Sequence, residues 1–318
     1  MRPWFIGLAL VLAWAGLELV LQLAGLASHW IFRPRLDYPG APVILCLGDS
    51  HTFGVGVPAD RTYPVQLERL LTDQGLPVNA VNLGVPGQNT SQIRRNLPEW
   101  IARYHPAAVV VEAGVNDGWN QADALYVELE EGRLQDRPYQ LWRARMLNGL
   151  SYLKTYRLLA YLFRRIETGR REIEQARDRG GQLALHDYDP AAAPPEPYGD
   201  ARRAFRNLCR IGALGQERGV PVVLMTYVGV PPITFDTVNQ VLRQAGRDCG
   251  LPLVDNDAIL HPELVSPSGL VNSDLVNRLF FPDLHPTGDG YGRIAQNLAR
   301  TLRERGLIPA PGGKLEKP

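Results

Sequence analysis

The chain has 318 residues, 45% of them hydrophobic, enough apolar surface for one large domain or two small ones, which excludes a wholly disordered polymer. Its formal charge of +1 provides no overall field for nucleic acid, and no zinc-finger or arginine-rich groove pattern is present. Cys46, Cys209 and Cys249 are too few for a disulfide framework. Cys46 lies in an apolar run and reads as a small core residue, while a Cys209–Cys249 bridge has no support in the sequence.

From Trp4 to Leu26 the chain is apolar except for Glu18 and Gln22, and at about 1.5 Å per residue this stretch spans a hydrocarbon core of about 30 Å. It exceeds the roughly 7–15 apolar residues of a secretory signal. An uncleaved membrane anchor over residues 1–28 is therefore the first expectation, and a cleaved signal using Gly25 and Ala27 the second. Arg2 and the amino terminus on one side are matched by Arg33 and Arg35 on the other, so charge bias does not orient the helix. Glu18 costs a few kcal/mol if it faces lipid, and marks either a helix–helix contact or a tolerated lone charge.

Residues 29–42, with Pro34, Pro39, Gly40 and Pro42, read as a linker. A domain follows over residues 43–306, with a flexible tail over 307–318. Apolar, β-rich runs at Val43–Leu47, Val78–Leu83, Ala108–Ala113, Val222–Tyr227 and Leu251–Val254 alternate with stretches of helical period. This alternation predicts an α/β fold, a three-layer α/β/α sandwich around a mainly parallel sheet of about five strands. Thr62 caps a helix starting near Tyr63 and Pro64, Gly219 closes the helix before the fourth strand, and Pro98 is expected to kink or divide the helix between Ser91 and Tyr104.

The alternation breaks down over residues 119–200, a stretch too long for a plain loop and read as a helical insertion. Within it, residues 146–166 mix leucines and tyrosines, with arginines on either side, and predict a helix or helix pair. Two readings stand: a lid or basic surface resting on anionic headgroups, and an ordinary helix with a solvated charged face. Pro194, Pro195 and Pro197 mark an extended connection after it.

The chemistry begins at Leu47-Gly48-Asp49-Ser50-His51-Thr52-Phe53-Gly54, directly after the first strand. A serine on a glycine-bearing turn at the carboxyl end of a parallel strand stands where open sheets bind their ligands. Three more blocks follow in order: Asn82-Leu83-Gly84-Val85-Pro86-Gly87, Gly114-Val115-Asn116-Asp117 and Asp283-Leu284-His285-Pro286-Thr287, with Gly290 and Tyr291 opening the last helix. Together they resemble the SGNH (GDSL-like) serine hydrolases over about residues 43–303. The resemblance implies a flavodoxin-like sheet, Ser50 as nucleophile and His285 as general base. It further implies an oxyanion hole made of the Ser50 and Gly87 N–H groups and the Asn116 amide. One departure stands out: the family's acid is usually three residues before the histidine, where this chain has Pro282, while Asp283 is two before. Asp283 is the expected third member, with a backbone carbonyl as the alternative orienter of the ring.

A serine hydroxyl needs such a base to become nucleophilic, and the tetrahedral oxyanion needs fixed donors. No metal or other cofactor is called for. His51 adjoins the nucleophile and reads equally as pocket lining or as packing; His29, His105, His186 and His261 read as surface residues. Asp49, Asp117, Asp255 and Asp257 are expected to hold turns.

The expected activity is cleavage of carboxylic esters, acyl or acetyl groups on carbohydrate or small molecules, with the catalytic domain outside the cytoplasm. O-acyl transfer to envelope polysaccharide and lipase or thioesterase activity are the alternatives within the enzyme class. An anchored carbohydrate-binding protein that has lost activity is the alternative outside it. The sequence does not indicate an oligomeric state.

Overall fold

The computed structural model describes residues 3–31, 36–118, 120–132, 138–156, 158–159, 162, 200–231 and 235–308. The chain divides into two compact units, one within residues 1–34 and 128–180, the other within 35–127 and 181–318.

The larger unit holds a five-stranded sheet: β1 (Val43–Gly48), β2 (Asn79–Asn82), β3 (Ala108–Glu112), β4 (Val222–Met225) and β5 (Leu253–Val254). Their order is β2-β1-β3-β4-β5, and every pair is parallel. Four strands fall inside their predicted runs, and β1 extends one residue beyond its own, to Gly48. Successive side chains of a strand point to opposite faces, so the continuously buried β1 divides its residues between two cores. Leu45 and Leu47 join Val109, Val111 and Leu224 on one face. There they meet Ile93 and Leu97 of α4 (Thr90–Tyr104), Leu208 of a later helix (Asp200–Gln216) and Leu242 of another (Asp236–Asp248). Ile44 and Cys46 join Val110 and Val223 on the other face, against Leu67 and Leu71 of α3 (Tyr63–Asp73) and Leu298 of the C-terminal helix (Gly288–Glu304). The expected three-layer α/β/α sandwich results.

The sheet grows outward from β1 in both directions, to β2 on one side and β3 on the other, so the loops after β1 and β3 part and leave a crevice at their carboxyl ends. Close strand packing shapes its floor. A Cβ on Gly48 would lie 2.4 Å from the Glu112 carbonyl oxygen, its registered neighbour on β3.

Pro98 does not divide its helix. α4 runs unbroken from a capping box between Asn89 and Gln92 to His105, which takes a left-handed conformation (φ 45°). Buried Leu97 and Ile101 hold both sides of the proline against the sheet, which offsets the missing N–H. Gly219 adopts the positive φ (65°) that its predicted capping role requires. Thr62 is the N-cap of α3, although its hydroxyl donates back to the Ala59 carbonyl.

Cys209 and Cys249 form a disulfide with a Cα–Cα distance of 5.5 Å, linking the Asp200–Gln216 helix to the C-cap of the Asp236–Asp248 helix. Only the packing of these two helices reveals the pairing.

The smaller unit contains α1 (Pro3–Ile31) and the helix Pro138–Ser151, within the predicted insertion. In α1, Trp4–Leu26 is long and apolar enough to cross a membrane. The Pro194–Pro197 connection and the 309–318 part of the tail lie outside the described residues.

The disulfide closes a separation of 40 residues. Replacing both Cys209 and Cys249 by alanine is expected to lower unfolding free energy by about 2–4 kcal/mol, read from urea denaturation with the m-value fitted separately for each form.

Candidate active site

β1 ends at Gly48, and the chain turns through Asp49 into the one-turn helix α2 (Ser50–Phe53), closed by Gly54 in the left-handed region (φ 92°). Ser50 thus begins a helix at the sheet's carboxyl edge. Asp49 is fully buried, and its carboxylate accepts hydrogen bonds from the His51 backbone N–H (3.0 Å), the Asn116 side-chain amide (3.2 Å) and the Tyr227 hydroxyl (2.7 Å). Three strand ends are tied together through one carboxylate. Asp49 therefore does more than hold its own turn.

His285 comes from the loop before the C-terminal helix. Its Nε2 lies 2.8 Å from the Ser50 hydroxyl oxygen. Its Nδ1 lies 3.0 Å from Asp283 Oδ2, while Asp283 Oδ1 accepts the backbone N–H of His285 at 3.2 Å. The one-residue shift in spacing is absorbed by Leu284, which sits at φ 59°. A left-handed residue turns the chain sharply enough to bring the aspartate beneath the imidazole, at a cost of about 1–3 kcal/mol that the surroundings must offset. Burial of the Leu284 side chain and the Leu284 N–H bond to the Phe281 carbonyl do so. The approach of Asp283 is oblique: Nδ1 is close in distance but lacks a well-aligned hydrogen bond, and the aspartate is largely exposed.

The other predicted residues converge on the same edge. Gly87 lies after β2 with φ 79°, and Asn116 lies after β3. Among the described residues, neither the Ser50 nor the Gly87 backbone N–H finds an acceptor. The Asn116 amide donates to Asp49 Oδ2 and to the Gln88 carbonyl (3.1 Å). Gly84 packs the second block against the first, since a Cβ there would lie 2.4 Å from the Phe53 backbone nitrogen. Asp117 takes the N–H and hydroxyl of Thr90, anchoring the start of α4. Asp255 caps the Asn256–Leu264 helix, and Arg243 grips both Asp255 and Asp257. These carboxylates hold the scaffold, as expected. His105 is a helix cap, and the His261 ring faces the Gly229 carbonyl.

His51 is more deeply involved than its sequence context suggests. Its buried ring stacks on His285, centroids 4.6 Å apart and planes 21° from parallel, with Tyr227 and Phe235 edge-on. Its Nδ1 is 3.5 Å from Asp49 Oδ1. Burial works to lower the pKa of His51, but Asp49 and then Glu112 raise it above the ordinary imidazole value. For His285 the balance is opposite: burial and the neighbouring His51 charge lower its pKa, against the pull of Asp283. Beneath them burial pushes the Glu112 carboxyl, at the end of β3, up to about 8. Sequence reasoning passed over Glu112 and Tyr227 because each lies at the end of an apolar strand run with no motif to single it out.

A depression of about 370 Å³ opens beside the pair, lined by Val55, Gly56, Phe281, Pro282, Asp283 and His285. Exposed Phe53 and Val85 add apolar surface on the turns carrying the first two blocks.

Residues 46–293 match the GDSL-like Lipase/Acylhydrolase family. An arylesterase of Vibrio mimicus is 32% identical over 75 residues, and esterase TesA of Pseudomonas aeruginosa is 32% identical over 78. Those segments cover 24% of this chain and only 38% and 39% of the two relatives. A crystal structure of TesA aligns over 84% of this chain and 99% of its own at 17% identity, with a TM-score of 0.48. Axe2, an acetylxylan esterase from Geobacillus stearothermophilus, aligns over 82% and 94% at 16% identity, with a TM-score of 0.46.

The stacked histidines make a prediction about charge. Removing the cationic neighbour in His51→Gln raises the pKa of His285 toward or above the ordinary value, because one of the effects lowering it is gone. Imidazole NMR titration checks this, and an unchanged or lower His285 pKa would count against the coupling.

Proposed function

Because the chain belongs to the GDSL-like lipase/acylhydrolase family, we propose that it is a serine hydrolase cleaving carboxylic esters through an acyl-enzyme, with Ser50, His285 and Asp283 as its catalytic line. The observation that carries this is the 2.8 Å approach of His285 Nε2 to the Ser50 hydroxyl. In the first step Nε2 takes the hydroxyl proton as Ser50 Oγ attacks the ester carbonyl. Burial and the neighbouring His51 lower the pKa of His285, which favours the neutral form able to accept that proton at neutral pH. Asp283 steadies the resulting imidazolium from the Nδ1 side.

The tetrahedral oxygen is received by the N–H groups of Ser50 and Gly87, both without acceptors among the described residues. Asn116 joins them by sharing one of the N–H groups that it otherwise directs at Asp49 and Gln88. His285 then returns its proton to the leaving alcohol. Water attacks the acyl-Ser50 carbonyl with His285 as base, and Ser50 recovers its proton as the acid leaves.

The shallow, largely apolar depression suits a short acyl group, with the alcohol part of the ester facing solvent. Acetyl groups on carbohydrate fit this description. The matched curated relatives are named as an arylesterase and an esterase, in keeping with ester cleavage. An N-terminal helix able to cross a membrane, together with the Cys209–Cys249 bridge, supports an anchored protein whose catalytic unit works in an oxidising compartment outside the cytoplasm.

Hydrolysis of p-nitrophenyl acetate tests the reading. Ser50→Ala is expected to lose about 10⁴-fold or more in turnover, and Asn116→Ala about 10²–10³-fold. Asp283→Ala should lose less than Ser50→Ala, because its contact with the ring is oblique and exposed. A folded wild type no faster than Ser50→Ala would overturn the proposal.

A further inference from the structure

Glu18 is the acidic residue inside the apolar stretch of α1, and it is not left to face lipid alone. Its carboxylate accepts the backbone N–H groups of Lys154 and Thr155, each at 2.8 Å, and the Thr155 hydroxyl at 2.9 Å. Gln22, one turn along, donates to Glu18 and to the Tyr152 carbonyl, and Trp14, one turn back, donates its indole N–H to Thr155. The chain leaves the Pro138–Ser151 helix at Tyr152 and is helical again from Lys154. Glu18 therefore caps the beginning of the second segment, using N–H groups that lack partners at any helix start.

The depth of this contact follows from α1 itself. Glu18 lies eight residues before Leu26, about 12 Å inside the end of the apolar stretch at 1.5 Å per residue. Whatever bonds to Glu18 lies at that depth too. We infer that residues 152–155 enter the bilayer beside α1, clamped there by Glu18, and that this part of the insertion presents its exposed apolar side chains to lipid acyl chains. The inference rests on the reading of α1 as a membrane span.

Three features fit a re-entrant turn. Trp142, Met146, Tyr152 and Leu159 expose large apolar surface in this segment, as do the residues along α1. Lys154 does not leave its charge at depth: its side chain runs back along α1 until Cε would lie 3.3 Å from a Cβ on Gly25, close to the end of the span. A lysine reaching for the interface behaves this way, and a glycine there leaves its stem room. Arg143 and Arg145, both exposed, precede Tyr152 by nine and seven residues, about 13 and 10 Å of helix, which suits the headgroup level.

The test uses the full chain in phosphatidylcholine vesicles, with a fluorophore on one introduced cysteine at a time: Tyr152→Cys, Leu10→Cys in α1 and exposed Leu270→Cys in the larger unit. Labelling is selective because Cys46 is buried and the other two cysteines are bridged. Nitroxide on the lipid acyl chains should quench the Tyr152 probe at least half as strongly as the Leu10 probe, and the Leu270 probe hardly at all. Adding Glu18→Leu should cut quenching at Tyr152 severalfold while leaving Leu10 unchanged. Quenching at Leu10 but not at Tyr152 would overturn the inference and leave the anchor standing. Quenching at neither would remove the anchor and the inference with it. A Tyr152 probe shielded from both lipid nitroxide and aqueous iodide would replace lipid with a protein surface, such as a second copy of the chain. Full quenching at Tyr152 despite Glu18→Leu would overturn the clamp.

Discussion

The buried carboxylate of Asp49 is the constraint on which the site's geometry depends. An ionised carboxylate in a dry interior is costly unless hydrogen bonds replace its water, and here the replacements come from three places in the chain. The His51 N–H fixes the turn carrying Ser50, the Asn116 amide fixes the loop after β3, and the Tyr227 hydroxyl fixes the chain after β4. Moving any one of these leaves a charge partly unsatisfied, so the turns hold one another in register. Asp117 repeats the device one layer out, binding the first residue of α4 through two bonds.

His285 is delivered to Ser50 by a different kind of constraint, a strained backbone. A leucine at φ 59° is uncommon, because its Cβ crowds the carbonyl. The strain is held by the Phe280–Pro286 bridge and by the Phe281 N–H bond to the His285 carbonyl, which close the loop around Leu284. A regular turn would carry the carboxylate of a residue two before the histidine away from the ring. With Leu284 left-handed, Asp283 meets both the backbone N–H and the side chain of His285.

These two constraints also explain which parts of the molecule were legible in its residues. All five strands announced themselves as short apolar runs, since a sheet buried on both faces demands them, and Ser50, Gly87, Asn116 and His285 each followed a recognisable element. The Asp283 contact depends on one dihedral angle, and no residue type signals a left-handed leucine. Tyr227 and Glu112 were invisible for the opposite reason: they occupy strand ends whose neighbours are apolar, and only the sheet order brings them under the serine. The Cys209–Cys249 pairing and the partners of Glu18 required knowing which segments, 40 and more than 130 residues apart, lie side by side.

The paired histidines show how one site supports two opposite protonation preferences. A catalytic base must be neutral when substrate arrives, yet it stands close to carboxylates that favour its charged form. Placing a second imidazole between Asp49 and His285 resolves the conflict. Burial works to lower the pKa of His51, but Asp49, 3.5 Å away, raises it above the ordinary imidazole value. Burial lowers the pKa of His285 and the stacked His51 lowers it further, so His285 is held below the ordinary value despite Asp283. Glu112, pushed up to about 8 by burial, is mostly protonated at neutral pH, which leaves Asp49 as the chief carboxylate acting on His51. Asp49 and His51, the residues on either side of Ser50, thus act together on the protonation of His285.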